Sequence, residues 1–370
     1  MSSNTTRIFA CVSAITLFPF SAHAVTYTAT LLHPVGFVQS SGRGISGASQ
    51  VGVGDPPMEG HHAVLWNNTA ASVVDLNPAG FDVSGALGIS GTNEIGSGSA
   101  SGSGGTYHAL LWSGTAASVV DLHPLGYIDS YGLAISGTSQ VGYARTIGRD
   151  PHAMLWNGTA ASAVDLNPPG FTGSLAEGVS GGSQVGNGYG PATGNQEHAL
   201  IWTGTAASAV DLNPTGLITS EATAVFGGTQ AGWGYSAGGA GDHALLWTGT
   251  VASAVDLNPP GMDYTHALGV SDAGQVGFGY TSLDAQSHAL VWNGTAASVV
   301  DLQPFLSGLG KTFIGSAAFA MSENGTIVGI AYDARSTYAV LWTPVPEPSS
   351  LALMLGATAM LCAIVGSRRT

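Results

Sequence analysis

Along most of the chain, apolar positions gather into runs of four to six residues rich in Val, Ile, Leu and Trp. The spacers between them are built from Gly, Ser, Thr, Asn and Pro. Runs of this length with turn residues between them predict strands, and the spacers are too short to hold helices. Four runs make one unit. In the copy that begins at His152 they are HAMLW, ASAVDL, LAEGVS and SQVGNG. HAMLW is apolar at nearly every position instead of alternating, so both faces of that strand must be covered.

The unit recurs along the chain. Its tryptophans stand at 66, 112, 156, 202, 247, 292 and 342, with spacings of 46, 44, 46, 45, 45 and 50 residues. Four strands per period of about 45 residues predict an all-β fold, a β-propeller with one blade per repeat, with a β-solenoid as the alternative. The HAxLW-like run occurs seven times, counting Tyr338–Trp342, and so does the GIS-like run, at Ile45, Ile89, Ile135, Val179, Val225, Val270 and Met321. The VDLNP run occurs six times, and a weaker seventh copy, Thr28–Phe37, precedes all the others. A chain phased in this way starts in one strand of a unit and ends in another strand of the same unit. The expectation is therefore a seven-bladed ring over residues 25–344, closed by pairing of its N- and C-terminal strands so that no strand edge is left exposed. The segment 305–319 lengthens the last spacing and is expected to form an extra hairpin.

The two ends carry a different pattern. Residues 1–24 have Arg7, an apolar run from Ile8 to Phe20 and then Ala22-His23-Ala24. This is the pattern of a secretory signal cut after Ala24, with Ala22 and Ala24 as the small residues at the cleavage site. Residues 349–366 are uncharged and long enough to cross a bilayer as a helix, with Arg368 and Arg369 behind them to stay on the cytoplasmic side. Cys11 and Cys362 are the two cysteines, one in each terminal segment. The mature chain between those segments then depends on its core rather than on disulfides.

The order Pro346-Glu347-Pro348, one apolar span and terminal arginines resembles the PEP-CTERM sorting signal of Gram-negative bacteria. The resemblance covers residues 345–370. It implies processing by signal peptidase and by an exosortase near the Pro-Glu-Pro, delivery to the cell surface or beyond it, and an association with exopolysaccharide and biofilm. The set HAxLW, VDL, A-x-x-S and G-x-VG resembles the HAF family of extracellular repeats over nearly all of the mature chain. The usual phenylalanine is replaced here by Val, Leu or Met, and the usual Asp-Leu-Gly by Asp-Leu-Asn-Pro. That resemblance implies no particular activity.

Composition narrows the function classes. Eight Lys plus Arg against 22 Asp plus Glu give a formal charge of −14, which repels phosphate backbones and argues against nucleic-acid binding. The candidate chemistry is a His and an Asp 13 residues apart in six units: His62 and Asp75, His108 and Asp121, His152 and Asp165, His198 and Asp211, His243 and Asp256, and His288 and Asp301. In the composite unit Tyr338 replaces the His and Leu31 the Asp, so both partners are lost together. That joint loss predicts a contacting pair. Six copies around a ring are also the opposite of an active site, which converges on one pocket. The pairs are therefore expected to be structural.

No zinc spacing, phosphate loop or calcium loop occurs, so neither cofactor nor metal is expected. Off-pattern charges fall before HAxLW runs: Asp55, Glu59 and His61; Arg145, Arg149 and Asp150; Asp333 and Arg335. These are expected in loops, the usual place for binding in a propeller. The sequence thus predicts an exported, non-enzymatic repeat protein that binds or scaffolds matrix polysaccharide. The alternative is an exported propeller enzyme, a glycan lyase or hydrolase, with its carboxylates at the central channel.

Overall fold

A computed structural model describes residues 26–238 and 241–346. Ala22, Ala24, Glu347, Pro348, Arg368 and Arg369 lie outside the described residues, as do the expected signal and membrane segments; Pro346 is the last residue described. Among the described residues no helix is long and apolar enough to cross a membrane.

Seven four-stranded antiparallel sheets form the ring, each a blade of a β-propeller. Blade 1 runs from an inner strand, Ser40–Ser46, through Ser49–Gly54 and His62–Asn67 to a two-residue outer strand, Val74–Asp75. The GIS runs therefore line the channel, HAxLW is the third strand and VDL is the outer edge. Blades 2 to 6 repeat this order, with inner strands starting at Phe81, Asp129, Gly173, Leu217 and Tyr264. Blade 7 takes Gly315–Met321, Ile327–Tyr332 and Thr337–Pro344 from the C-terminal end, and its outer strand is Tyr27–Leu31. The register runs from Tyr27 opposite Pro344 to Leu31 opposite Val340, so the ring is closed by the two ends of the chain. This closed ring excludes a solenoid.

The core is divided among the blade interfaces. Each of seven apolar clusters joins one blade to the next and contains one repeat tryptophan. Trp66, Trp112, Trp156, Trp202, Trp247, Trp292 and Trp342 are all fully buried. Two covered faces explain why HAxLW does not alternate. The glycine of each QVG run has its own cause: at Gly52, Gly142, Gly186 and their equivalents, a Cβ would overlap a carbonyl of the adjacent inner strand. Every inner strand carries a β-bulge beside that glycine, as between Gly42 and Gly44 or Ala176 and Gly178.

The 305–319 insertion forms no hairpin. Gln303–Leu309 is a 3₁₀ helix that leads into the inner strand of blade 7. Pro304 suits a helix start, and Phe305, Leu306 and Leu309 have apolar partners within reach. Those partners are Tyr27, Ala29 and Leu31 of the closing strand, and burying this surface favours helix over a free hairpin.

A second repeated polar device holds the third strand in six of the seven blades; blade 7 has Ile327 at that position. Gln50, Gln140, Gln184, Gln230 and Gln275 accept a backbone N–H from the loop after that strand at 2.6–2.8 Å. Four of them also donate through Nε2 to a carbonyl two residues back. Blade 2 has Glu94 instead, fully buried, with Oε2 accepting from Gly114 N–H at 2.8 Å and Oε1 unpartnered. Burial raises the pKa of this carboxyl, an effect opposed by its backbone hydrogen bonds. The folded chain therefore keeps this proton to higher pH than the unfolded chain does. Stability falls as pH rises from the ordinary carboxylate range through the raised folded value. Glu94→Gln should thus raise stability by about 1 kcal/mol at neutral pH and change it little in acid. Urea unfolding at both pH values checks this, and a gain that is equal in acid would contradict it.

Candidate functional site

The six His–Asp pairs meet within their own blades. Nδ1 of each histidine, on the third strand, lies 2.7–2.8 Å from Oδ2 of the aspartate on the outer strand. The other oxygen, Oδ1, accepts the N–H of the residue two positions on, Asn77, His123, Asn167, Asn213, Asn258 or Gln303, at 2.7–2.8 Å. Both oxygens are thus used in tying down the outer edge. The pairs sit around the circumference, the aspartates about half exposed, and no two share a pocket. In blade 7 Leu31 packs against the 3₁₀ helix, while the Tyr338 hydroxyl donates to Asp333 (3.0 Å) and accepts from Lys311 (3.2 Å). A local substitute takes the place of the lost pair.

The residue two positions after the aspartate leads to a stronger contact that links neighbouring blades. In blade 1 the Ser84 hydroxyl, on the next blade's inner strand, donates to Asn77 Oδ1 (2.7 Å) and accepts the Ala63 N–H (3.0 Å). Ser174, Ser220, Thr265 and Ser316 do the same with Asn167, Asn213, Asn258 and Gln303, each accepting an alanine N–H from the preceding blade. His123 and His33 take the asparagine's place opposite Ser130 and Ser40, at 3.0 and 2.8 Å. Burial lowers the pKa of both imidazoles, which leaves them neutral with a ring nitrogen free to accept from the serine. The Ser40 hydroxyl accepts Ala339 N–H (2.9 Å), so the seventh interface has this latch although it lacks the His–Asp pair. The signal in the sequence was a hydroxyl seven residues after the Asn or His in six of the seven cases.

Side chains that break the repeat converge elsewhere, on the central channel. At one mouth, Ile45, Ser46, Ile89, Ser90, Ile135, Ser136 and their equivalents enclose a vestibule of about 560 Å³ that keeps to the repeat, with Phe226 as an exception. Deeper lie the bulge residues Arg43, Leu87, Leu133, Glu177, Thr223, Leu268 and Phe319 around a space of about 220 Å³. A bulge re-aims its side chain, and here seven strands aim residues of five types, three of them leucines, into one bore. Two residues earlier, towards the opposite mouth, the inner strand and its neighbour pair as Ser41–Val53, Gly85–Ser97, Tyr131–Tyr143, Leu175–Asn187, Glu221–Trp233, His266–Phe278 and Ala317–Ile330. Blades 7, 1 and 2 supply small or aliphatic groups; blades 3 to 6 supply nearly all the aromatic and polar ones.

That half of the rim is a continuous polar and aromatic arc. Tyr107, Tyr131 and Tyr143 stack in sequence (5.4 and 4.8 Å between centroids), and Arg145 lies over both of the last two while pairing with Asp129 at 3.1 Å. Arg145 is the last residue of its strand and not a loop residue. Trp233 stacks on His266 (4.5 Å), whose Nε2 lies 3.0 Å from Asp242. Between the two aromatic groups, the carboxyl of Glu177 is within hydrogen-bond reach of Glu221. Its pKa is raised well above the carboxylate range by burial first, then by the charge of Glu221, their shared hydrogen bond and the charge of Glu197. Asn187 donates to Glu221 Oε2 at 3.1 Å, but its own Oδ1 is buried without a partner.

Sequence reasoning missed Glu177, Glu221, Trp233, His266 and Tyr131, although each breaks a column of the repeat. The loop charges it favoured largely satisfy one another. His61 contacts Asp55 (2.5 Å), and Asp333 accepts the Arg335 and Ser336 N–H groups. Among the described residues no group of three or more His, Cys, Asp or Glu could hold a metal ion.

No protein-family model matches the chain, and no curated protein matches it. Solved propellers do. The β-propeller domain of the trilobed protease from Pyrococcus furiosus, described as an open velcro topology, aligns at TM-score 0.55 and 9% identity over 87% of this chain and 99% of that one. Oligogalacturonate lyase from Vibrio parahaemolyticus aligns at TM-score 0.57 and 12% identity over 88% and 98%. A puromycin-hydrolyzing peptidase from Mycobacterium tuberculosis aligns at TM-score 0.53 and 12% identity over 85% of this chain and 53% of that one. At such identities the likeness shows the fold alone.

The two repeated contacts should differ in weight. Ser174→Ala orphans the buried Ala153 N–H and should cost about 1–3 kcal/mol in urea unfolding. Asp165→Asn weakens a half-exposed pair and should cost under about 1 kcal/mol. The reverse order would contradict this assignment.

Proposed function

We propose that this chain is an exported, surface-associated propeller that binds a polyhydroxylated matrix polymer at the blade 3–6 half of the channel rim, without chemical turnover. The observation that carries this reading is the concentration of non-repeating aromatic and polar residues on that arc, with Tyr107 of blade 2 joining its stack and Arg43 and Phe319 lying deeper in the bore. Aromatic faces cover the apolar faces of sugar rings, and Glu221, Asn187, Asp242 and His266 offer both donors and acceptors to hydroxyls. A formal charge of −14 and an acid pair disfavour strongly anionic polymers, so the ligand is a neutral or amino-bearing polysaccharide. The PEP-CTERM resemblance supports the location, with signal peptidase and exosortase as processing partners.

The two chain ends are consistent with display. Val345 N–H donates to Thr26 O at 2.9 Å, and Pro344 lies beside the Ser322–Thr326 turn at the serine-lined mouth. A chain tethered through its C-terminal apolar run would present the aromatic rim outward.

The rival reading is an exported enzyme acting on glycans, and the Glu177–Glu221 pair is what favours it. The lyase among the structural neighbours bears on this rival only through the fold.

Incubation of the purified chain with extracted matrix polysaccharide separates the two readings. Trp233→Ala with Tyr131→Ala should weaken retention about tenfold, the scale of a lost aromatic contact. His198→Ala, on the circumference, should leave it unchanged. Equal retention by the rim variant would overturn the site, and shortening of the polymer would favour the enzyme.

A further inference from the structure

We propose that the bore of the ring binds a small aliphatic monocarboxylate, with Arg43 as the group that holds its carboxylate. Among the described residues, Arg43 is the one cation on the walls of the bore and its vestibule. It is half-buried, and its guanidinium lies over the Phe319 ring at 4.2 Å. Among the described residues it forms no ion pair, and its Nε is sealed from solvent without a hydrogen-bond partner. The two Nη groups are also bonded to no described protein atom, but they stand open to the bore. Glu177 faces the same space from blade 4 without pairing with it. Burial lowers the pKa of the guanidinium, and no neighbouring carboxylate offsets that effect. A charge kept without a counter-charge among apolar side chains is costly to the folded state. An anion in the bore offsets that cost.

The surroundings set the class of anion. Leu87, Leu133 and Leu268 share the level of Arg43, and the space of about 220 Å³ has room for about seven waters at roughly 30 Å³ each. The next ring, Ile45, Ile89, Ile135, Val179, Val225 and Met321, lines both this space and the vestibule. An aliphatic tail can therefore pass from one into the other and stay in apolar contact. One planar guanidinium matches one carboxylate, which it holds through two parallel N–H···O bonds. Phosphate or sulfate calls for more donors, and the leucines offer none. The vestibule opens at the serine-lined mouth, opposite the aromatic rim, so the site does not rest on the polysaccharide reading. Carboxylate binding without polymer retention would refute only the latter.

Sodium octanoate, titrated calorimetrically into the full chain, provides the test. Octanoate should bind at one site per chain and raise Tm, whereas octylamine and inorganic phosphate should do neither. Arg43→Met keeps an unbranched side chain over Phe319 and removes the charge. It should weaken octanoate at least tenfold, the scale of a lost charge-assisted hydrogen bond. It should also leave the Tm of the free protein unchanged or higher, because no protein group loses a hydrogen bond. Leu133→Phe, which narrows the bore and keeps the charge, should weaken binding too, and Arg335→Gln, on an exposed loop, should not. Octanoate bound equally well by Arg43→Met would place it on the outer surface and overturn the site. So would equal binding of octylamine, or displacement by phosphate at equal concentration, which would mean an adventitious ion only. A lower free-state Tm in Arg43→Met would make Arg43 a structural residue and overturn it as well.

Discussion

Every interface in the ring depends on one buried hydroxyl. On the inner strand of each blade, a Ser or Thr accepts an alanine N–H from the preceding blade and meets the Asn, His or Gln that follows that blade's outer strand. These hydroxyls are at most a few per cent exposed. Removing one would leave a backbone donor and a side-chain acceptor without water or partner, so the arrangement is fixed by the cost of breaking it. The tryptophan clusters supply the larger apolar term, but apolar contact is non-directional and does not set the angle between blades. The hydroxyl latch does, and its presence at all seven interfaces gives each blade the same geometry.

With the framework fixed seven times over, the channel is free to vary. The bulge position varies from blade to blade, with Arg43, Glu177, Thr223 and Phe319 among three leucines. The His–Asp pairs lie on the other side of this division. They are repeated, half exposed and far from the channel, and they hold the short outer strands that would otherwise fray. Polar residues that repeat serve the ring, and the non-repeating ones of the channel gather mainly on half of one rim, with Arg43 deeper in the bore.

The blade count, the strand order and the closure by Tyr27–Leu31 against Thr337–Pro344 were legible because each depends on a period or a phase, and both survive in one sequence. The His–Asp contact was legible because Tyr338 and Leu31 replace both partners in the same unit. The latch serines were passed over because Ser is common in the turns of this chain and only the fold shows which ones are buried. The rim was hidden for a further reason. Glu177 and Glu221 are 44 residues apart, and what brings them together is the packing of two inner strands, a relation that no local pattern expresses. Segment 305–319 had its length correctly noted as unusual, but the apolar surface of the closing strand decided that it would be helical.

Native-state hydrogen exchange at the latched alanines tests the account most directly. Ala63, Ala109, Ala153, Ala199, Ala244, Ala289 and Ala339 each donate to a buried hydroxyl across an interface. If the latch sets the ring, all seven should exchange among the slowest amides, and Ala339, at the seam made from the two chain ends, should match the other six. Fast exchange at Ala339 with protection elsewhere would mean that the seam opens and the ring is not held as a closed unit. Fast exchange at all seven would mean that apolar packing alone holds the blades together.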